Sequence, residues 1–190
     1  APIAEYPEIQ FSLKMRLGWE NASECMVLVE LLNTLRLSRI ALHARTGKQQ
    51  YKGHPDLEAF QGFYELCQHP LYYNGGIESL SDIRQILIRF PLLKGVFIGR
   101  GLLSSPLLAK EFKGNETFLP EQRMSIYFAF HEELFSAYSQ VLQGETQLLV
   151  KMKTLWEYFL PETDRKLLKR IKKSTRLQQY TESVKAIFTS

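Results

Sequence analysis

The sequence predicts an α/β fold: four consecutive β-α units equivalent to the second half of a (β/α)8 TIM barrel, followed by an all-α helical bundle domain. Three observations carry this. Segments of strand character end near Lys14, His43, Asn74 and Gly99, at separations of 29, 31 and 25 residues that suit parallel strands joined by helical crossovers, in a small open sheet or in half of a barrel. The last two ends run into glycine-bearing turns, Asn74-Gly75-Gly76-Ile77 and Gly99-Arg100-Gly101. Beyond Gly114 the strand signal stops and only helical periodicity continues.

Taken in order, Ile9 to Met15 alternates, with Ile9, Phe11, Leu13 and Met15 on one side and Gln10, Ser12 and Lys14 on the other, which predicts a strand with one apolar face. Asn21 to Leu37 carries apolar residues at helical spacing after a capping Asn21 or Ser23. The alternation repeats with a strand at 39–44, a helix at 55–67, a strand at 71–74, a helix at 81–90 and a strand at 94–99. A short helix opened by Ser104, Ser105 and Pro106 completes the fourth unit, proline being favourable in a first turn. Helices are then expected over 120–143, 145–160, 161–174 and 177–188, with Pro120 and Pro161 as starts and Gly144 as a stop. The domain boundary is placed at Lys113-Gly114-Asn115, giving a half barrel over 1–114 and a helical domain over 115–190.

At 190 residues the chain is shorter than the roughly 250 of a complete barrel. Nothing near Ala1 resembles the opening strand and loop of a cofactor-binding barrel, so the sequence is expected to begin partway through one. With 45% hydrophobic and 23% charged residues it belongs with globular chains rather than disordered or fibrous ones. A net charge of +4 mildly favours a polyanionic partner without identifying one. Cys25 and Cys67 lie far apart with no spacing that suggests zinc or a disulfide framework, and a reducing, cytoplasmic setting is expected. No apolar run approaches the roughly 18 residues of a membrane span, so no membrane is expected as a partner.

Strand ends are where parallel barrels place their chemistry. A lysine directed inward at Lys14 needs an anionic or accepting partner, a plain salt bridge being the bland alternative. His43-Ala44-Arg45-Thr46 leads into a loop with Lys48, Tyr51 and Lys52, a mixture suited to phosphate and base contacts. Glycines at 75, 76 and 99 let backbone N–H groups approach an anion, and Arg100 adds a two-pronged donor. Each glycine pair alone marks a tight turn more often than a site. Two at neighbouring strand ends match the phosphate-binding loops after barrel strands seven and eight.

Lys14-Met15-Arg16-Leu17-Gly18-Trp19, the HARTGKQQYKG of 43–53, the NGGI of 74–77 and the IGRG of 98–101 with Pro106 beyond resemble, in order and spacing, the motifs of the tRNA-dihydrouridine synthases. The resemblance implies a barrel binding flavin mononucleotide (FMN), reduced by NADPH or NADH, and a helical domain that helps hold tRNA. It implies that Lys14 and His43 contact the flavin, and that Asn74, Gly75 and Gly76 line its phosphate loop with Gly99 and Arg100 opposite. One departure is Gly76, where family members often carry an acid. A larger one is that nothing here matches the family's catalytic cysteine. Apolar neighbours give Cys25 and Cys67 a structural role, and no catalytic residue is assigned.

The tail adds an independent signal. Arg165, Lys166, Lys169, Arg170, Lys172, Lys173 and Arg176 are seven cations without an intervening acid, while Leu167, Leu168 and Ile171 keep an apolar stripe. A charge run is often only a solvated face. Beside a barrel that receives RNA, phosphate contact is the better reading, and Arg45, Lys48, Tyr51 and Lys52 join the seven as expected RNA contacts. Tyr127, Phe128, Phe130, Phe135, Trp156 and Tyr158 read mostly as core. The expected function is flavin-dependent reduction of a tRNA uridine to 5,6-dihydrouridine by the parent protein, with this chain alone inactive and prone to self-association through open sheet edges. Two alternatives stay open: a non-catalytic RNA-binding module, and another phosphate-binding barrel enzyme acting on a small metabolite.

Overall fold

The computed structural model describes residues 6–189; the expectation drawn from Ala1 lies outside them. The chain divides into two compact units, Ala1–Gly99 and Arg100–Ser190. The first holds β1 (Phe11–Gly18), α1 (Glu24–Asn33), β2 (Leu37–Thr46), α2 (Leu57–Leu66), β3 (Leu71–Asn74), α3 (Leu80–Arg89) and β4 (Gly95–Phe97). All neighbouring strands are parallel, and the sheet order is β1-β2-β3-β4. Sequential order separates a barrel segment from a doubly wound sheet: when each strand is laid beside its predecessor by a crossover of one hand, the helices collect on one face. Four such β-α units followed by helices are the half barrel and helical bundle that the spacing predicts.

Strand alternation sorts the residues between the two faces. Ile40, Leu42, Ala44, Leu71 and Tyr73 are buried on the helix-covered side, with Val29, Phe60, Phe63 and Ile83 from the helices. Phe60 meets Tyr73 and Phe90 edge to face at 4.9 and 5.0 Å, the geometry that ring quadrupoles favour. Ser79 and Asp82 form a reciprocal capping box that starts α3, and the Asp56 carboxylate caps α2 through the Ala59 N–H.

The second unit contains α4 (Arg100–Ser104), α5 (Leu108–Gly114), α6 (Pro120–Val141), α7 (Gly144–Leu155), α8 (Arg165–Lys173) and α9 (Leu177–Phe188). Its core is built from Leu107, Tyr127, Met152, Trp156, Phe159, Ile171, Tyr180 and Val184, so the segment before α5 belongs to this core. Glu111, buried on α5, is paired with Arg123 of α6. No helix among the described residues is long and apolar enough to cross a membrane.

Several boundaries differ from expectation. β1 begins at Phe11 and runs on to Gly18, leaving Ile9 half exposed outside it and Lys14 in mid-strand. The expected helix up to Leu37 stops at Asn33, because a turn in which Leu35 N–H bonds the Leu32 carbonyl swings the chain into β2. The single short helix after β4 is two helices, and Pro106 stands in the break because it cannot donate the next helical bond. Pro161 precedes a turn rather than opening α8, which starts where the Asp164 carboxylate accepts the Lys166 and Leu167 N–H groups. Gly144 opens α7 instead of closing α6, the chain having already become extended at Leu142.

Candidate cofactor and nucleic-acid surfaces

On the face opposite the apolar helices, strand register aligns Arg16 with His43, His43 with Asn74, and Asn74 with Phe97. Lys14 sits on that face two residues earlier, opposite Ala41, and is exposed. The row thus begins with Arg16, whose period-two relation to Lys14 was the signal available in the sequence. His43 is 7% exposed, and its ring centroid lies 6.5 Å from that of Tyr51. The Asn74 amide donates to the Phe97 carbonyl at 2.8 Å, which ties β3 to β4 at their ends.

The loop after β2 is held from below. Arg16 donates to the carbonyls of Thr46 (2.7 Å) and Gln50 (3.2 Å), and its guanidinium lies 5.9 Å from the Tyr51 ring centroid. Arg45 is 4% exposed and donates to the Lys52 carbonyl at 2.8 Å, while its buried Nε has no hydrogen-bond partner. Arg45, expected as an RNA contact, is thus turned into the fold, where it shapes the loop instead of standing on its surface. Gln49 bonds the carbonyls of Lys52 and His54 with its side-chain amide. Tyr51 and Lys52 stand exposed on this scaffold, and Lys48 pairs with Glu20 at 2.5 Å on the surface, a contact weak enough to exchange for a phosphate. The N–H groups of Trp19, Glu20 and Asn21 converge on Glu24 and hold its carboxyl below the usual range. That small anion nest is filled by the chain itself.

At the end of β3, Gly75 and Gly76 adopt φ of +138° and +58°. A Cβ on Gly76 would meet Pro55 Cγ at 2.9 Å, so both conformation and space select glycine. This turn borders a cavity of about 340 Å3 shared with Pro55, Tyr73, Asp82 and Arg89. Burial pushes the Tyr73 hydroxyl up to about 12, so it remains a donor at neutral pH. Gly99 ends the first unit with open space where a Cβ would stand, and Arg100 is the first residue of α4.

In the second unit all seven tail cations are exposed. Arg165 to Lys173 occupy α8, and Arg176 stands just before α9. None of the seven makes an ion pair among the described residues. Leu167 and Leu168 are half-buried and Ile171 fully buried, so the helix packs by one side and presents cations on the other. Lys166, Lys169, Arg170 and Lys173 border a cleft of about 410 Å3 with Gln179, Glu182 and Ser183 of α9. The expected core aromatics divide: Tyr127 and Trp156 are buried, whereas Tyr158 is 38% exposed.

Both cysteines are free, and burial pushes both thiols above their ordinary value, the reverse of what a reactive thiolate requires.

A family profile described as dihydrouridine synthase (Dus) matches residues 4–189. A probable tRNA-dihydrouridine synthase of Rhizobium leguminosarum bv. phaseoli is 34% identical over 100 residues, covering 52% of this chain and 31% of that protein. One from Aquifex aeolicus is 35% identical over 105 residues, covering 55% and 33%. The tRNA-dihydrouridine(16) synthase of Escherichia coli K12 is 28% identical over 110 residues, covering 57% and 35%. The chain spans about a third of the length of these curated relatives.

Proposed function

The chain belongs to the dihydrouridine synthase family, and from that premise we propose that it supplies the flavin-phosphate end and the tRNA-docking helices of an FMN-dependent tRNA-dihydrouridine synthase. The observation that carries the reading is the polar row on the inward face, Arg16, His43 and Asn74, ending at the Gly75–Gly76 turn. The residues fit the group: the buried Arg45 Nε is left without a partner, and at Gly76 both the positive φ and the 2.9 Å approach of Pro55 to a would-be Cβ exclude a side chain from the turn. Lys14 and His43 would hold the ring system. Asn74, Gly75, Gly76, Gly99 and Arg100 would hold the phosphate. When bound, the flavin supplies hydride, drawn from NADPH or NADH, to the uracil double bond. This chain's part is to bind, orient and exclude water; neither buried Cys25 nor half-buried Cys67 is assigned to donate the accompanying proton.

Tyr51, Lys48, Lys52 and the α8 cations dock the tRNA, whose target base leaves its stack to reach the flavin. The test uses the protein that carries this chain, mixed with FMN and tRNA and followed by flavin absorbance and tRNA retention, beside His43→Ala and Gly76→Ala variants. Flavin retained by the wild type and lost in both variants supports the reading. The exposed α8 cations, none in an ion pair among the described residues, suit a second reading, a non-catalytic RNA-binding module; tRNA retention with no flavin under any condition would decide for it.

A further inference from the structure

Between the Ser104–Ser105 segment, α6 and the 160–164 turn lies a cavity of about 420 Å3, within the range of small-ligand pockets. Met124, Leu167 and Ile187 give it apolar lining. Its polar edge is arranged in advance. Buried Glu111 accepts a charge-assisted bond from Arg123 Nη2, Arg123 Nη1 donates to Tyr127 Oη at 3.2 Å, and the Tyr127 hydroxyl shares a 2.7 Å bond with Ser105. These bonds occupy two of the five guanidinium donors and leave the others for an acceptor. Leu160 lines the cavity at φ +49°, a conformation that a residue with a Cβ adopts under constraint and that recurs at ligand sites. Glu162 adds a carboxylate, which disfavours a phosphate and suits a donor-bearing group. The Asp164 carboxylate is already engaged in capping α8.

The anionic part of a ligand is provided for nearby. Leu167 lines this cavity, and its helical neighbours Lys166, Lys169 and Arg170 line the basic cleft between α8 and α9. Resting on the tRNA-docking reading above, we propose that this cavity receives one unstacked nucleobase of the RNA strand whose phosphates lie along α8, and that guanine is the base it fits. Guanine O6 and N7 accept from Arg123, its N1–H and exocyclic amine donate to Glu162, and its ring lies against the Met124 and Leu167 side chains. The pocket lies within the second unit, and it gives that unit a means of setting where the tRNA sits.

The experiment titrates the full chain with two fluorescent hairpin RNAs that differ at one unpaired position, guanosine in one and an abasic nucleotide in the other. The guanosine RNA is expected to bind about tenfold tighter. Glu162→Gln, an exposed change, is expected to weaken only the guanosine RNA, and Thr163→Trp, which fills the cavity, to bring it to abasic affinity. If circular dichroism shows Thr163→Trp misfolded, Glu162→Gln carries the test. Equal wild-type affinities, or an adenosine RNA binding as well as guanosine, overturn the guanine pocket and leave the docking reading standing. Affinity of both RNAs unchanged by Lys169→Glu with Arg170→Glu, or no RNA binding at all, overturns the docking reading with it.

Discussion

A guanidinium that is 4% exposed must find its acceptors inside the fold, and Arg45 finds the Lys52 carbonyl. Arg45→Met keeps the aliphatic stem and removes that bond. It is expected to destabilise the protein by about 1–3 kcal/mol and to speed hydrogen exchange at residues 48–53; unchanged exchange there would show that the loop is held by Gln49 instead. His131 offers a second residue-scale prediction. It is buried between Glu132, which takes its Nδ1–H at 3.0 Å, and the Tyr180 hydroxyl at 2.7 Å from Nε2, while Trp156 donates to the same hydroxyl. Those partners suit a neutral imidazole that accepts at Nε2. Burial, opposed by Glu132, lowers its proton affinity below the ordinary 6.5, so the unfolded chain binds the proton more tightly than the fold does. Stability from this group is therefore complete above about pH 7 and is lost as pH falls through 6.5 toward the lowered folded value. Urea midpoints between pH 5 and 8 should fall on the acid side for the wild type and flatten in His131→Phe. Such roles were not legible in the chain: Arg45 reads as one more loop cation and His131 as one more helical residue, because burial is decided by elements distant in sequence.

Elements were legible where local chemistry and burial agree. β3 (Leu71–Asn74) and α9 (Leu177–Phe188) fall on their expected bounds, the strand closed by a glycine pair and the helix carrying a clean apolar stripe. Where two local signals compete, the stronger cap prevails: Pro161 is an acceptable first-turn residue, but Asp164 has the carboxylate that satisfies two N–H groups. Helix α8 carries its functional prediction at this scale. Its cations are exposed and lack carboxylate partners among the described residues, so reversing Lys169, Arg170 and Lys173 together is expected to leave the fold intact. It should weaken tRNA binding and reduce the log–log salt slope by at least about two, read by filter retention across a salt series. An unchanged slope would reduce α8 to a solvated face.

At the scale of the molecule, the helical unit draws Leu107 and Glu111 into its interior, Glu111 paired there with a half-buried Arg123. A fragment beginning at residue 100 is therefore expected to melt cooperatively and at a higher temperature than one beginning at 115, which loses an apolar core residue and leaves Arg123 without its carboxylate; equal melting would favour the boundary at Gly114. Studied as these 190 residues, the chain is expected to self-associate in sedimentation velocity, since β1 and β4 each pair on one side only among the described residues; a monodisperse monomer would overturn this. Periodicity and spacing were enough to indicate parallel strands, a helical second part and the glycine turns of the phosphate-site reading, because alternation, crossover length and turn chemistry are properties of short stretches of chain; the sequential strand order is fixed by the sheet itself. The sequence could not reveal that Arg16 rather than Lys14 stands level with His43, that Arg45 points inward, or that Ser105, Glu111, Arg123 and Tyr127 meet beside a cavity. Those facts depend on strand register and helix packing, which bring together residues 7 to 30 positions apart and exist only once the chain has closed on itself.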